Sequence, residues 1–199
     1  MKIAIGVPCM GSIRAETVGS LLQMQRSYPD VDFKWFITGN SLVYDARNEI
    51  LNYAINEDAD YLLYVDSDIM YPYTALGELL AQNKGIISGV YWTRSENVRE
   101  RVIYSEIKPR PIFGRVGKRT AYMGQINGIF EVKGCGMGFC LIRKDVIHKI
   151  TRQFVSPFEP YRGLGEDLSF CYRLGRIKEP IFAMEVGLEH IGTKHYKGV

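Results

Sequence analysis

The sequence predicts an α/β protein with a mostly parallel central sheet and helices on both faces. Three observations carry that prediction: short apolar runs rich in β-branched residues, amphipathic stretches of about 10 to 15 residues alternating with them, and turn residues at the junctions. The 199 residues, 46% hydrophobic and 24% charged, suffice for one cored domain and do not match a disordered, collagenous or coiled-coil chain.

Residues 2–8, Lys-Ile-Ala-Ile-Gly-Val-Pro, read as a buried first strand closed by a proline that cannot continue the ladder. From Arg14 to Arg26, Val18, Leu21, Leu22 and Met24 fall near helical spacing, and Tyr28-Pro29-Asp30 ends the segment as a turn. Phe33 to Thr38 is a second strand. Leu42 to Ile55 repeats apolar residues at Leu42, Ala46, Ile50, Leu51, Ala54 and Ile55, which predicts an amphipathic helix with Arg47 and Asn48 off its stripe. Tyr61 to Val65 is a third strand, Tyr73 to Gln82 a helix and Gly85 to Tyr91 a fourth buried strand. After Trp92 the character changes. Thr93 to Gly128 is rich in arginine and glycine with only short apolar runs, and reads as excursion loops and a hairpin. Ile129 to Val132 and Gly138 to Arg143 are strands around a glycine-rich bend, followed by a short helix over Lys144 to Arg152. Leu168 to Leu174 is helical with Gly175 as its stop, and Ile181 to Val186 is a last strand before a polar tail.

The net charge of +3 is too small an excess to make a polyanion the main partner, so nucleic acid is not expected. No apolar run reaches the roughly 18 residues of a spanning helix, and Met1 to Pro8 is too short for a signal-peptide core. Lys194 and Lys197 make the tail mildly basic, a weak argument for membrane contact without an amphipathic anchor. Cys9, Cys135, Cys140 and Cys171 form no CxxC pair or zinc spacing, which points to reduced thiols in a cytoplasm.

The chemistry concentrates at Tyr61-Leu-Leu-Tyr-Val-Asp66-Ser-Asp68-Ile-Met-Tyr-Pro72, where two carboxylates follow a buried strand. Ligands of open α/β sheets bind at that end, and the pair suits a divalent cation carrying a diphosphate. The bland alternative is a turn with a helix cap. Glu166 and Asp167 open a helix, either as ordinary acids favoured by the helix dipole or as a general base for a hydroxyl. His190 could complete a metal shell of oxygen ligands, whereas His195 reads as solvated tail and His148 as a surface residue. Tyr71, Tyr73, Tyr91 and Trp92 flank the acids and could stack on sugars, with core packing as the default and Trp92 the favoured candidate. Arg94, Arg99 and Arg101 could reach phosphates from the excursion, or simply be solvated.

In order along the chain, the Ala46-Arg47-Asn48 helix, the Asp66-Ser-Asp68 motif after an apolar strand, Gly165-Glu166-Asp167 and a late histidine resemble the glycosyltransferases of the GT-A fold. The similarity is to family 2-like members, in particular small single-domain enzymes of the phage or archaeal-virus type. Gly134-Cys-Gly136-Met-Gly138 also resembles the glycine-rich stretch such enzymes place beside the acceptor. The resemblance implies a GT-A, Rossmann-like sheet with a small acceptor-side β region, residues 1–92 forming the nucleotide-binding half and 93–199 the acceptor half. It implies that Asp68 binds Mn²⁺ or Mg²⁺, with His190 as a further ligand and Asp66 on the ribose, metal or metal-bound water. Asp167 would be the base of an inverting transfer and Glu166 would hold hydroxyls. Pro8 and the loop to Arg14 would face the nucleobase, with Arg47, Asn48 and Trp92 near the donor and Gly136 and Gly138 near the acceptor. The donor would be a nucleotide sugar, and the acceptor a protein, lipid or glycan. The place of action would be the cytoplasm, a host's for a viral enzyme.

Two other functions fit parts of the pattern. A nucleotidyltransferase would more naturally carry a glycine-rich basic phosphate loop than Pro8-Cys-Met-Gly11-Ser-Ile-Arg14. A non-catalytic nucleotide or sugar binding module would not need Asp167.

Overall fold

The computed structural model describes residues 1–39, 42–93, 100–111, 118–124, 126, 128–192 and 195–196. The first half runs β1 (Lys2–Pro8), α1 (Ala15–Ser27), β2 (Asp32–Thr38), α2 (Val43–Asn56), β3 (Tyr61–Val65), β4 (Ile69–Met70), α3 (Ala75–Ala81) and β5 (Ile86–Gly89). Next come β6 (Ile103–Lys108), β7 (Lys118–Ala121), β8 (Phe130–Val132), β9 (Gly134–Cys135) and β10 (Phe139–Arg143). The chain continues through α4 (Lys144–Thr151), α5 (Glu166–Arg176), β11 (Ile181–Met184), β12 (Glu189–Ile191) and β13 (His195–Tyr196).

A seven-stranded sheet in the order β2-β1-β3-β10-β5-β11-β8 forms the centre. β1 lies parallel to β2 and β3, and β11 parallel to β5. β10 is antiparallel to both β3 and β5, and β8 to β11, so the mostly parallel sheet contains two reversed strands. Strand side chains alternate between faces, and the core divides accordingly. Ala4, Leu62, Tyr64, Ile86, Cys140 and Ile142 pack on one face with Ile50, Leu51 and Ala54 of α2, Ile150 of α4 and Phe170 of α5. Ile3, Ile5, Leu63, Val65, Ile87, Phe139 and Leu141 pack on the other with Leu21 and Met24 of α1 and Leu76 and Leu79 of α3. A side chain at Gly6 would run into Ile50, so that glycine is what lets α2 close on β1.

Two elements depart from the sequence reading and one expected element is extended. Gly175 does not stop α5, which runs on to Arg176. The left-handed residue is Lys178 (φ 57°), and the amides of Lys178 and Glu179 bond the carbonyls of Gly175 and Leu174 in a Schellman ending. The supposed polar tail contains β12, which pairs antiparallel with β4 and places His190 opposite Ile69. The hairpin expected after Trp92 is β6 with β7, and β9 joins it as a small three-stranded sheet.

Candidate functional site

Asp66-Ser67-Asp68 follows β3 directly, at the carboxyl end of the sheet. Its backbone is tied from three sides. The Asp66 amide donates to Gly138 O at 2.9 Å, Ser67 O accepts from the Arg14 amide at 2.9 Å and from Thr17 Oγ1 at 3.3 Å, and Asp68 O accepts from the Ile191 amide at 2.7 Å. Strand β10, the start of α1 and strand β12 therefore fix one loop, and its two carboxylates meet different partners.

Asp66 turns inward to Arg47. The Arg47 side chain is only 3% exposed; Nη2 donates to Asp66 Oδ1 at 3.0 Å, and Nε stands 3.1 Å from Asp167 Oδ1 and 4.0 Å from Glu166 Oε1. The Nε contact lacks hydrogen-bond alignment, and neither Nε nor Nη1 has another acceptor among the described residues. Burial works against the charge on Arg47, but Asp167, Asp66 and Glu166 more than offset it, and its pKa is raised. Below, the Tyr64 hydroxyl donates to Arg47 O at 2.6 Å and the guanidinium lies 5.6 Å over the Tyr64 ring.

Asp167 sits in the first turn of α5, with Oδ2 accepting from the Met137 amide at 3.1 Å. Oδ1 is closed to solvent, although 22% of the side chain remains accessible. Burial pushes its carboxyl up to about 7; Arg47 pulls it down, and Glu166 and Asp66 push it up. A carboxyl poised near neutrality can exchange a proton at working pH.

Asp68 turns to His190. The imidazole Nδ1 lies 2.9 Å from Trp92 O, a carbonyl that can only accept, so Nδ1 carries the ring proton. Nε2 is 3.4 Å from Asp68 Oδ1. Nε2 thus points toward a carboxylate oxygen, an arrangement that a proton or a metal cation between them stabilises. The His190 ring also packs edge-on against Tyr91 at 5.5 Å.

The glycine-rich bend packs next to these groups. The Gly138 amide donates to the Tyr91 hydroxyl at 3.1 Å. A Cβ at Gly136 would collide with that hydroxyl, and one at Gly138 would come within 2.8 Å of Tyr91 Cζ and 3.1 Å of Asp66 Oδ2. Both glycines are buried against Tyr91.

The sequence-predicted residues therefore separate into groups. Asp66, Glu166 and Asp167 meet around Arg47, and Asp68 meets His190. Among the described residues no three His, Cys, Asp or Glu side chains cluster tightly enough for one metal, and the Asp66 carboxylate is engaged by Arg47. Arg47 is buried and paired within the chain, not offered to a nucleotide. Asn48 Oδ1 accepts from the Phe158 amide at 3.2 Å and so anchors a loop. Pro8 is buried at the end of β1. Arg14 is exposed beside the Asp66–Asp68 loop. Tyr71 and Tyr91 are core residues, and the Trp92 ring is covered on one side by the Arg101 guanidinium at 5.2 Å. Arg101 Nη1 donates to Gly124 O at 2.9 Å, so it braces the hairpin. Arg94, Arg99, Lys194 and Lys197 lie outside the described residues. The reading missed the bridging role of Arg47 although a signal existed: positions 47, 50, 51 and 54 have the spacing of one helix face, and all four are buried.

No family model matches the chain, and no curated protein matches it. Among solved structures it is similar to A197 from STIV, 18% identical over 100% of this chain and 95% of that one, with a TM-score of 0.64. It is also similar to S. aureus TarS 1-349, 14% identical over 93% of this chain and 60% of that one, with a TM-score of 0.47. No helix among the described residues is long and apolar enough to cross a membrane. The likeness to A197 spans both chains and, with the sheet order above, shows that this chain has the GT-A-like α/β fold its motifs implied.

Proposed function

We propose that this chain transfers a sugar from a nucleotide-sugar donor to an acceptor hydroxyl with a divalent cation as cofactor. The observation that carries the reading is the meeting of Asp68 and His190 at the carboxyl end of the sheet, 3.4 Å apart. Ligands about 2.1 Å from one small divalent ion lie roughly 3 Å from each other, so this carboxylate oxygen and imidazole nitrogen suit Mn²⁺ or Mg²⁺. Two protein ligands leave the remaining positions to water and phosphate oxygens. Bound there, the cation would offset the negative charge that grows on a departing nucleoside diphosphate.

The protein's own groups do the rest. Asp66, clamped by Arg47, faces the donor with a fixed orientation. Asp167 Oδ2 keeps a lone pair beyond its bond to Met137 and takes the proton of the acceptor hydroxyl. Glu166, 25% exposed, holds a hydroxyl beside it. Attack from the face opposite the diphosphate inverts the anomeric carbon.

The experiment is release of free nucleoside diphosphate from a panel of nucleotide sugars with Mn²⁺, comparing the parent with Asp68→Ala and Asp167→Asn. Asp68→Ala is expected to weaken metal-dependent nucleotide binding, and Asp167→Asn to keep binding and lose turnover. Nucleotide binding without release in any condition would replace the enzyme by a binding module, and pyrophosphate release from a nucleoside triphosphate would replace it by a nucleotidyltransferase.

A further inference from the structure

α5 carries Glu166 and Asp167 in its first turn and Tyr172, Arg173 and Arg176 in its second half. These last three wall a cavity of about 440 Å³ together with Gln153, Phe154, Tyr161 and Ile177. That volume is within the range of small-molecule sites. Arg176 is nine residues beyond Asp167, roughly 14 Å along the helix axis, and no residue of the Arg47 or Asp68–His190 groups lines the cavity.

The lining has two arginines and no acid. Neither Arg173 nor Arg176 forms an ion pair among the described residues; the nearest acidic influence on Arg173 is Glu159, whose side chain is turned to solvent. Arg173 is held rigidly. Its Nη1 donates to Pro157 O at 2.7 Å and Glu159 O at 2.6 Å, and its guanidinium lies over the rings of Phe154 and Tyr161. Burial lowers its pKa, so its charge lacks full compensation. Beside it, the Tyr161 and Tyr172 rings stack on each other at 5.4 Å with 14° between their planes and form an aromatic ledge. The Arg162 and Arg173 guanidinium groups lie over Tyr161, so Tyr172 is the ring of this ledge without a cation over it among the described residues. A preorganised cation without an ion-pair partner among the described residues, a second cation at the rim and an aromatic ledge are the parts that recognise an oxyanion attached to a ring.

We propose that this cavity is a second binding site, separate from the cation cleft, for a pyranose that carries a phosphate or carboxylate group. The oxyanion sits between Arg173 and Arg176, and the sugar face lies on the tyrosine ledge.

The test is a calorimetric titration of the full chain without divalent metal, using glucose 1-phosphate, glucuronate, glucose and inorganic phosphate as probes. At least one of the two anionic sugars is expected to bind about fivefold tighter than inorganic phosphate, and glucose more weakly than either. The phosphate and uronate arms identify which oxyanion is preferred. Arg176→Gln, on an exposed side chain, is expected to weaken that binding about fivefold with an unchanged melting temperature. Tyr172→Ala is expected to remove the preference for sugar phosphate over phosphate. Asp68→Ala is expected to change nothing, which separates this site from the proposed donor cleft. Equal binding of inorganic phosphate and both anionic sugars, loss of binding in Asp68→Ala, insensitivity to Arg176→Gln, or no binding of any anionic sugar would each overturn the proposal. Because no turnover is measured, failure here leaves the transferase reading standing, and failure of that reading leaves this one.

Discussion

Asp66 and Asp68 are two residues apart on one loop, yet they belong to different electrostatic worlds. Asp66 joins an inner group in which three carboxylates surround one buried guanidinium, whereas Asp68 approaches the His190 imidazole. The inner group carries its own countercharge and is preorganised by the fold. The outer pair brings a carboxylate oxygen and an imidazole nitrogen within 3.4 Å of each other at the carboxyl end of the sheet. A repeat of acids in sequence can thus divide between two different sets of partners once the backbone turns.

The largest effect expected on that contrast is from Asp167→Asn, which would lower turnover about 10²- to 10⁴-fold while nucleotide binding survives. The pH profile sharpens it. With a carboxyl pushed up to about 7, the parent's rate should rise with pH through that value as Asp167 loses its proton. The linked stability has the opposite slope. The folded chain keeps this proton where the unfolded chain, titrating near 3.8, releases it; the contribution is fully present below that value and fades as pH rises through about 7. Rate and denaturation profiles from pH 4 to 8 check both signs, and a profile unchanged by Asp167→Asn would remove it from the proton transfer.

Arg47→Met should cost about 3–5 kcal/mol of stability, because it strands buried carboxylates. Adding Asp167→Asn to that variant should recover part of the loss, and more than the same change contributes in the parent. A urea-denaturation double-mutant cycle reads the coupling, and additive effects would mean that the two residues do not share charge.

Gly138→Ala should cost about 1–3 kcal/mol by forcing a methyl against Tyr91 and Asp66. A melting curve equal to the parent's would show that the bend can yield. The smallest effect is expected at the outer pair. His190→Ala should raise the Mn²⁺ requirement about tenfold with little change in melting temperature, and an unchanged metal titration would put the imidazole outside the coordination shell.

The strands were legible because buried runs such as Leu62 to Val65 have no other stable home, and their ends located Asp66 and Asp68. The direction of β10 was not legible, since an apolar run reads the same whether it enters a sheet parallel or antiparallel. The placement of His190 was hidden for a related reason. It depends on a pairing between the two-residue β4 and β12, far apart in sequence and too short to show a period. Arg47 was misplaced by its chemistry: a charged side chain was assigned to solvent and ligand although its position on the helix matched the buried stripe.

The contact of Gly136 and Gly138 with Tyr91 binds three positions into a single unit of inheritance. A lineage that enlarged either glycine would first have to shrink the aromatic residue, and the His190 ring packed against that aromatic would lose its support. The volumes at these three positions are therefore coupled, and a change at one is best tolerated with a compensating change at another.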